Sequence, residues 1–221
     1  MFYKFPSTPY IEVDSTVKRN DKILLQKEVS NLLCNEIIIE EKIDGANLGI
    51  SFDSNGQIKL QNRGEYIIAP YLGQWKKLPD WLIKYEDNIF DVITNEYILF
   101  GEWCYMKHSV YYDNLPDWFV GFDIFDIRKE KFLSVNRRNE MFTKMGIIPV
   151  PQLGKGKYSI EELSKFLKIS KYGKELCKGI YILDNKEYLE YRAKMVRNEF
   201  RQNIGEHWSK GILQCNKLGN N

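Results

Sequence analysis

Apolar and polar positions along this chain fall into short blocks whose period changes several times. EIIIE at 36 to 40 sets three isoleucines between acids and predicts a buried strand. Residues 47 to 61 read as a hairpin in which the Asn55-Gly56 pair supplies the positive φ angles of a tight turn. From Asp80, DWLIKYEDNIFDVI places Trp81, Ile83, Tyr85, Ile89, Phe90 and Ile93 at mostly helical spacing, the pattern of a surface helix. A second helix is expected from about Val135, with Ser134 as cap and Gly146 as stop. A third is expected from Ser159, where Glu162 completes a capping box. Further strands are expected at 97 to 103, 118 to 127, 179 to 184 and 187 to 194, the last two joined through Asp184-Asn185.

Hairpins mixed with isolated helices, rather than alternating βαβ units, predict an α+β fold with largely antiparallel sheets. No repeat or linker interrupts the 221 residues, so 1–221 reads as one domain, with 197–221 a short C-terminal helical tail. A hydrophobic content of 43% is enough to fill its core. The 32 basic and 30 acidic residues leave a formal charge of +2, so a basic surface for nucleic acid must be local. From Asn185 onward there is such a local excess, seven basic residues against four acidic. No apolar run approaches the roughly 18 residues that span a bilayer, which predicts a soluble, cytoplasmic protein with no membrane partner. Cys34, Cys104, Cys177 and Cys215 are far apart, and with only His108 and His207 beside them they make no zinc spacing. They are expected to be buried, reduced thiols.

The chemistry concentrates in EEKIDGANLGISF, where Lys42 and Asp44 flank one residue and Gly45 follows. A lysine leaving a strand beside a glycine turn can project into a cleft. It is a nucleophile only when deprotonated, so desolvation or a nearby cation must lower its pKa. The chain contains no GxGxxG and no GxxxxGK[ST], so phosphate must be held in another way.

KIDGAN, Lys42 to Asn47, resembles the KxDGxN signature of the covalent nucleotidyltransferases, which include ATP-dependent DNA and RNA ligases and mRNA capping enzymes. The resemblance implies that Lys42 attacks the α-phosphate of ATP, giving lysyl-AMP and pyrophosphate. Later segments resemble the family's further motifs in order. Arg63 in LQNRGEY would contact the ribose, and Glu102 in FGEW would hold the ribose and order metal-bound water. Phe122 in FVGFDI would stack on the base, with Asp123 beside it, and Glu41 and Asn47 would also face the nucleotide. In YRAKMVRNEF, Arg192 and Lys194 would grip the α-phosphate; at i and i+2 on a strand they share a face. Asp44, Glu102 and Asp123 would hold Mg²⁺ (or Mn²⁺). The tail through IGEHWSKG, with Ile204 and Trp208, is similar to those of the RNA-ligase branch.

One motif departs. The family places a glutamate before the glycine of its fourth motif, and here CKGIYIL puts Lys178 there, with Glu175 three residues upstream. A lysine at that point either impairs the metal site by repelling the ion or, as a nucleotide-binding cation, depresses the pKa of Lys42 and neutralises phosphate. The resemblance thus implies an ATP-grasp-like ligase adenylation domain flanking a nucleotide cleft. The 24 residues after Arg197 leave no room for the OB-fold of DNA ligases and capping enzymes. The function implied is an ATP-dependent RNA ligase that joins 5′-phosphate to 3′-hydroxyl ends. The alternatives are a catalytically impaired binding module of the same fold, or a DNA ligase. RNA is the expected partner, then DNA, with a partner protein for end recognition or end healing.

Overall fold

The computed structural model of the protein describes residues 2–11, 22–202 and 213–219, and holds two sheets. Strands β1 (Ile37–Glu41), β2 (Ala46–Phe52), β3 (Ile58–Gln61), β4 (Tyr97–Trp103) and β5 (Phe119–Asp126) come first along the chain. Then follow β6 (Lys131–Phe132), β7 (Ile148–Pro149), β8 (Gln152–Gly156), β9 (Gly179–Asp184) and β10 (Arg192–Val196). One sheet has the order β10-β9-β1-β8, the other β3-β2-β4-β5-β6 with β7 alongside β5. Every pair is antiparallel except β5 with β7. The fold is α+β with two largely antiparallel sheets, as expected.

Strand alternation divides the first sheet. Ile37 and Ile39 share a face with Ile180, Ile182, Ala193 and Met195, and pack on Val29 and Leu32 of α1 (Gln26–Leu33). Glu40 faces the other way, paired through Tyr181 to Lys194. The second sheet packs Leu48, Ile50, Leu99 and Ile124 against α2 (Leu78–Ile93) and α3 (Val135–Met145). Each such apolar side chain contributes about 1.5–3 kcal/mol by leaving water. The second sheet's other face carries Phe100 and Phe125, covered by Phe5 of the N-terminal segment. That segment continues beside β10, where Lys194 N donates to Pro9 O at 2.9 Å.

The cap expectations hold. Ser134 Oγ accepts from Arg137 N, Gly146 ends α3 at φ 72°, and Ser159 and Glu162 make the reciprocal box that starts α4 (Ile160–Ser164). Other expectations shift. In the β2–β3 hairpin only Gly56 has a positive φ, 74°; the turn is built by Asp53, whose carboxylate accepts from Asn55 N and Gln57 N at 2.9 Å each. On α2 the buried stripe is Leu78, Trp81, Leu82, Tyr85, Ile89 and Ile93, while Ile83 is 87% exposed. Ile83 stands two residues from Trp81, on the opposite side of a 3.6-residue turn. The last strand begins at Arg192 rather than 187, because Asp184 accepts from Glu190 N and Tyr191 N and holds the intervening chain as a loop.

Cys104 and Cys177 are buried, but Cys34 and Cys215 are exposed. After α5 (Asn198–Gln202), residues 213–219 are extended and bridge Met106 and Leu115, so a helical tail does not describe them. Ile204, His207 and Trp208 lie outside the described residues. Among the described residues no helix is long and apolar enough to cross a membrane.

Candidate active site

Lys42 stands one residue beyond β1, its N–H donating to Gly179 O of β9 at 2.9 Å. The turn that follows is fixed at several points. Asp44 N donates to the Tyr112 hydroxyl and Gly45 N to Glu102 Oε1, each at 2.9 Å. Gly45 runs so close to β4 that a Cβ there would lie 2.5 Å from Trp103 O, which only glycine tolerates. Asp44 is buried; its Oδ2 accepts from Ser109 N at 2.5 Å and Val110 N at 2.9 Å, and its Oδ1 accepts from Lys178 Nζ. Lys42, Asp44 and Gly45 therefore present one rigid edge of a cleft between the sheets.

That cleft measures about 680 Å³, its solvent-filled mouth included. The first sheet and the residues flanking its strands supply Lys42, Lys178 and Tyr181 to its lining. From the second sheet and the loop after β3 come Asn47, Arg63, Glu102 and Phe122. Six of the residues expected to meet a nucleotide, Lys42, Asn47, Arg63, Glu102, Phe122 and Lys178, are thus brought together. Asn47 Oδ1 is buried without a hydrogen-bond partner, an acceptor left for a ligand's donor.

Charge sets the protonation state of Lys42. Burial works to lower the pKa of Lys42, but Tyr181, Glu102 and Asp44 outweigh it and push it above the ordinary lysine value. This reverses the depressed pKa expected from the sequence. The neighbouring cation that works to lower Lys42 is Arg63, while Lys178 is bound to Asp44. Burial would raise Asp44, but the Lys178 ammonium, together with Lys42 and the Val110 N–H, more than offsets this and holds it below the usual carboxylate value. Burial dominates at Glu102, whose pKa is raised despite Lys42. Lys42, Arg63 and Lys178 face two carboxylates, Asp44 and Glu102, so the cleft carries a surplus of positive charge.

Four expected residues fall elsewhere. Glu41 alternates to the far face of β1, where its Oε2 accepts from Lys171 N at 3.0 Å; it does not line the cleft. Asp123 is held by Arg192 at 2.8 Å and lies 3.8 Å from Arg138. Arg192 does share a face with Lys194, but its guanidinium stacks 4.1 Å over Phe132 and binds Asp123 instead of facing Lys42. Lys194 Nζ sits 4.0 Å over the Tyr10 ring and is absent from the cleft lining. Glu175 stays exposed beside Tyr111 and does not replace the motif glutamate.

A metal centre on Asp44, Glu102 and Asp123 does not fit these positions. Asp44 spends its oxygens on Lys178 and two backbone N–H groups, Asp123 belongs to a separate ion cluster, and an ammonium stands at the cleft wall. Among the described residues no three His, Cys, Asp or Glu side chains converge to hold an ion.

Sequence reading missed Phe5, Tyr181, Glu40 and Arg138. Phe5 and Tyr181 line the cleft and, behind it, a smaller cavity of about 250 Å³ that also touches Glu40, Asp123, Arg138 and Arg192. Tyr181 was findable: a tyrosine inside the apolar strand GIYILD, two residues beyond Gly179, shares the face Lys42 must use. Phe5 and Arg138 reach the site only through tertiary packing.

A search of curated proteins finds no sequence match. Among solved structures, a Naegleria gruberi RNA ligase with pyrophosphate aligns at TM-score 0.62 and 14% identity, covering 92% of this chain and 63% of that one. A variant of that ligase with ATP and manganese aligns at TM-score 0.57 and 13% identity, covering 91% and 62%. The chain thus spans less than two thirds of the length of these ligases, and at such identity the likeness establishes the fold. The RNA ligase profile, by contrast, matches the sequence itself over residues 35–198, nearly three quarters of its length and every cleft residue but Phe5, and so the chain belongs to the RNA ligase family.

Proposed function

We propose that this protein is an ATP-dependent RNA ligase that joins 5′-phosphate to 3′-hydroxyl ends through AMP carried on Lys42. The observation that carries this reading is the enclosure of the Lys42 amine with Arg63, Glu102 and Phe122 in one cleft large enough for a nucleotide. In the first step the amine lone pair attacks the α-phosphorus. A P–N bond forms, the bond to the pyrophosphate oxygen breaks with its electron pair, and the ammonium releases two protons overall.

Phe122 offers a face for the base, and Tyr181, whose ring centroid lies 5.4 Å from the Lys42 amine, lines the same cleft. Arg63 and Asn47 address the sugar and phosphates, and Glu102 accepts from the ribose while bracing Gly45. Lys178 neutralises phosphate, and Lys194, on the same sheet face as Tyr181, adds positive field. AMP then passes to an RNA 5′-phosphate and leaves as the 3′-hydroxyl attacks.

Intact-mass measurement after incubation with ATP tests the first step. An AMP adduct is expected on the native protein and none on Lys42→Ala; an adduct of equal yield on the variant would refute the reading. GTP in the same assay separates a capping-type activity. A panel of 5′-phosphorylated RNA and DNA ends, scored for sealed product, separates RNA from DNA ligation and both from a binding module.

A further inference from the structure

The cleft places a fixed ammonium where the family's chemistry calls for an acid. Lys178 Nζ binds Asp44 Oδ1; its side chain is 24% exposed and so reaches the cleft surface, while that of Asp44 is 2% exposed. A divalent ion placed on Asp44 would have to displace this ammonium and two backbone donors at 2.5 and 2.9 Å. It would also meet a cleft in which Lys42, Arg63 and Lys178 already outnumber the carboxylates. Both effects work against cation binding, and both favour an anion.

We propose that Lys178 takes the place of a carboxylate-held divalent cation, so that AMP transfer to Lys42 proceeds without a protein-ligated metal ion. The inference rests on Lys42 being the nucleotide acceptor. A lysine ammonium is a compact point charge with three donors, so Lys178 can keep one bond to Asp44 and direct another at the phosphates. Asp44 is the anchor that holds it in place and Val110 and Ser109 hold Asp44, so the charge is preorganised before the nucleotide arrives. No oxidant, reductant or co-reactant beyond ATP is required: pyrophosphate leaves with its electron pair and the two ammonium protons pass to solvent or pyrophosphate.

The experiment follows the Lys42 adduct by intact mass over a magnesium series that starts in EDTA, in the native chain and in Lys178→Met and Lys178→Glu. The native protein is expected to form adduct in EDTA within about tenfold of its rate at saturating magnesium. Both variants are expected to lose at least a hundredfold in EDTA, and Lys178→Glu to recover as magnesium rises. As a readout independent of turnover, electron paramagnetic resonance of added manganese on nucleotide-free protein is expected to show a tight site in Lys178→Glu and none in the native chain. A purely structural Lys178 would lower the melting temperature of both variants and leave the magnesium midpoint where it was, which overturns the proposal. A native protein that forms adduct with magnesium and none in EDTA overturns it too, while leaving the ligase reading intact. No adduct under any metal condition overturns the ligase reading and this inference together.

Discussion

Two clusters of opposite charges lie back to back between the sheets, and they differ in balance. The inner one sets Arg138 and Arg192 against Glu40 and Asp123, two cations for two carboxylates. It is nearly closed: the side chains of Arg138, Glu40 and Asp123 are 1%, 3% and 6% exposed. The outer one sets three cations against two carboxylates and opens to solvent. A buried ion cluster is tolerable only when its charges cancel and its donors find acceptors, which is the inner arrangement: Arg138 binds Glu40 and the Phe122 carbonyl, and Arg192 binds Asp123. A surplus cation can persist only where water or a ligand anion reaches it. The inner cluster therefore braces the cavity that Phe122 and Tyr181 line, and the outer one is the cluster that meets the substrate in the function proposed above.

Breaking each cluster by one cation gives the largest contrast. Arg138→Ala leaves Glu40 buried and uncompensated, and a loss of about 3–5 kcal/mol is expected in urea unfolding. Arg63→Ala removes an exposed cation that is not needed for balance; its stability change is expected within about 0.5 kcal/mol, with the loss falling on AMP-adduct formation instead. Equal destabilisation by the two would erase the distinction.

Titration separates the clusters next. The raised pKa of Lys42 keeps it protonated at neutral pH, so the rate of adduct formation is expected to climb roughly tenfold per pH unit through the neutral and mildly alkaline range. A flat profile of single-turnover rates would show that the amine is already deprotonated before the nucleotide binds.

The smallest effect belongs to Glu40. Burial, opposed by Arg138, raises its pKa from 4.5 to about 6. A carboxyl raised on folding contributes stability that is present in full below pH 4.5 and is lost as pH rises through about 6. At about 1.4 kcal/mol per unit, the change across that window is about 2 kcal/mol. Glu40→Gln, compared with the native chain by urea unfolding between pH 4.5 and 7, is expected to remove that slope.

Much of the scaffold was legible because local rules act within a few residues. The three isoleucines of β1, the Ser134 and Ser159 caps, the Gly146 stop and the YILFGEW strand follow from period, capping and conformational freedom alone. Lys42, Asn47, Arg63, Glu102, Phe122 and Lys178 were legible as chemistry, and they do meet in one cleft. The sequence also showed the lysine at 178, though not what it would touch.

Partnership is what the fold decided. Asp44 and Asp123 look alike as acidic residues near motifs. One became the anchor of Lys178 and the other the partner of Arg192, because strands distant in sequence set their neighbours. Glu41 was lost from the site by the two-residue alternation of a strand whose register depends on β9, and Phe5 entered it from the far end of the chain. Residue type and spacing determined which groups this protein has to work with. Which charges cancel, which stay open to a ligand and which are spent on holding the fold depend on distances across sheets, and those exist only once the chain has packed.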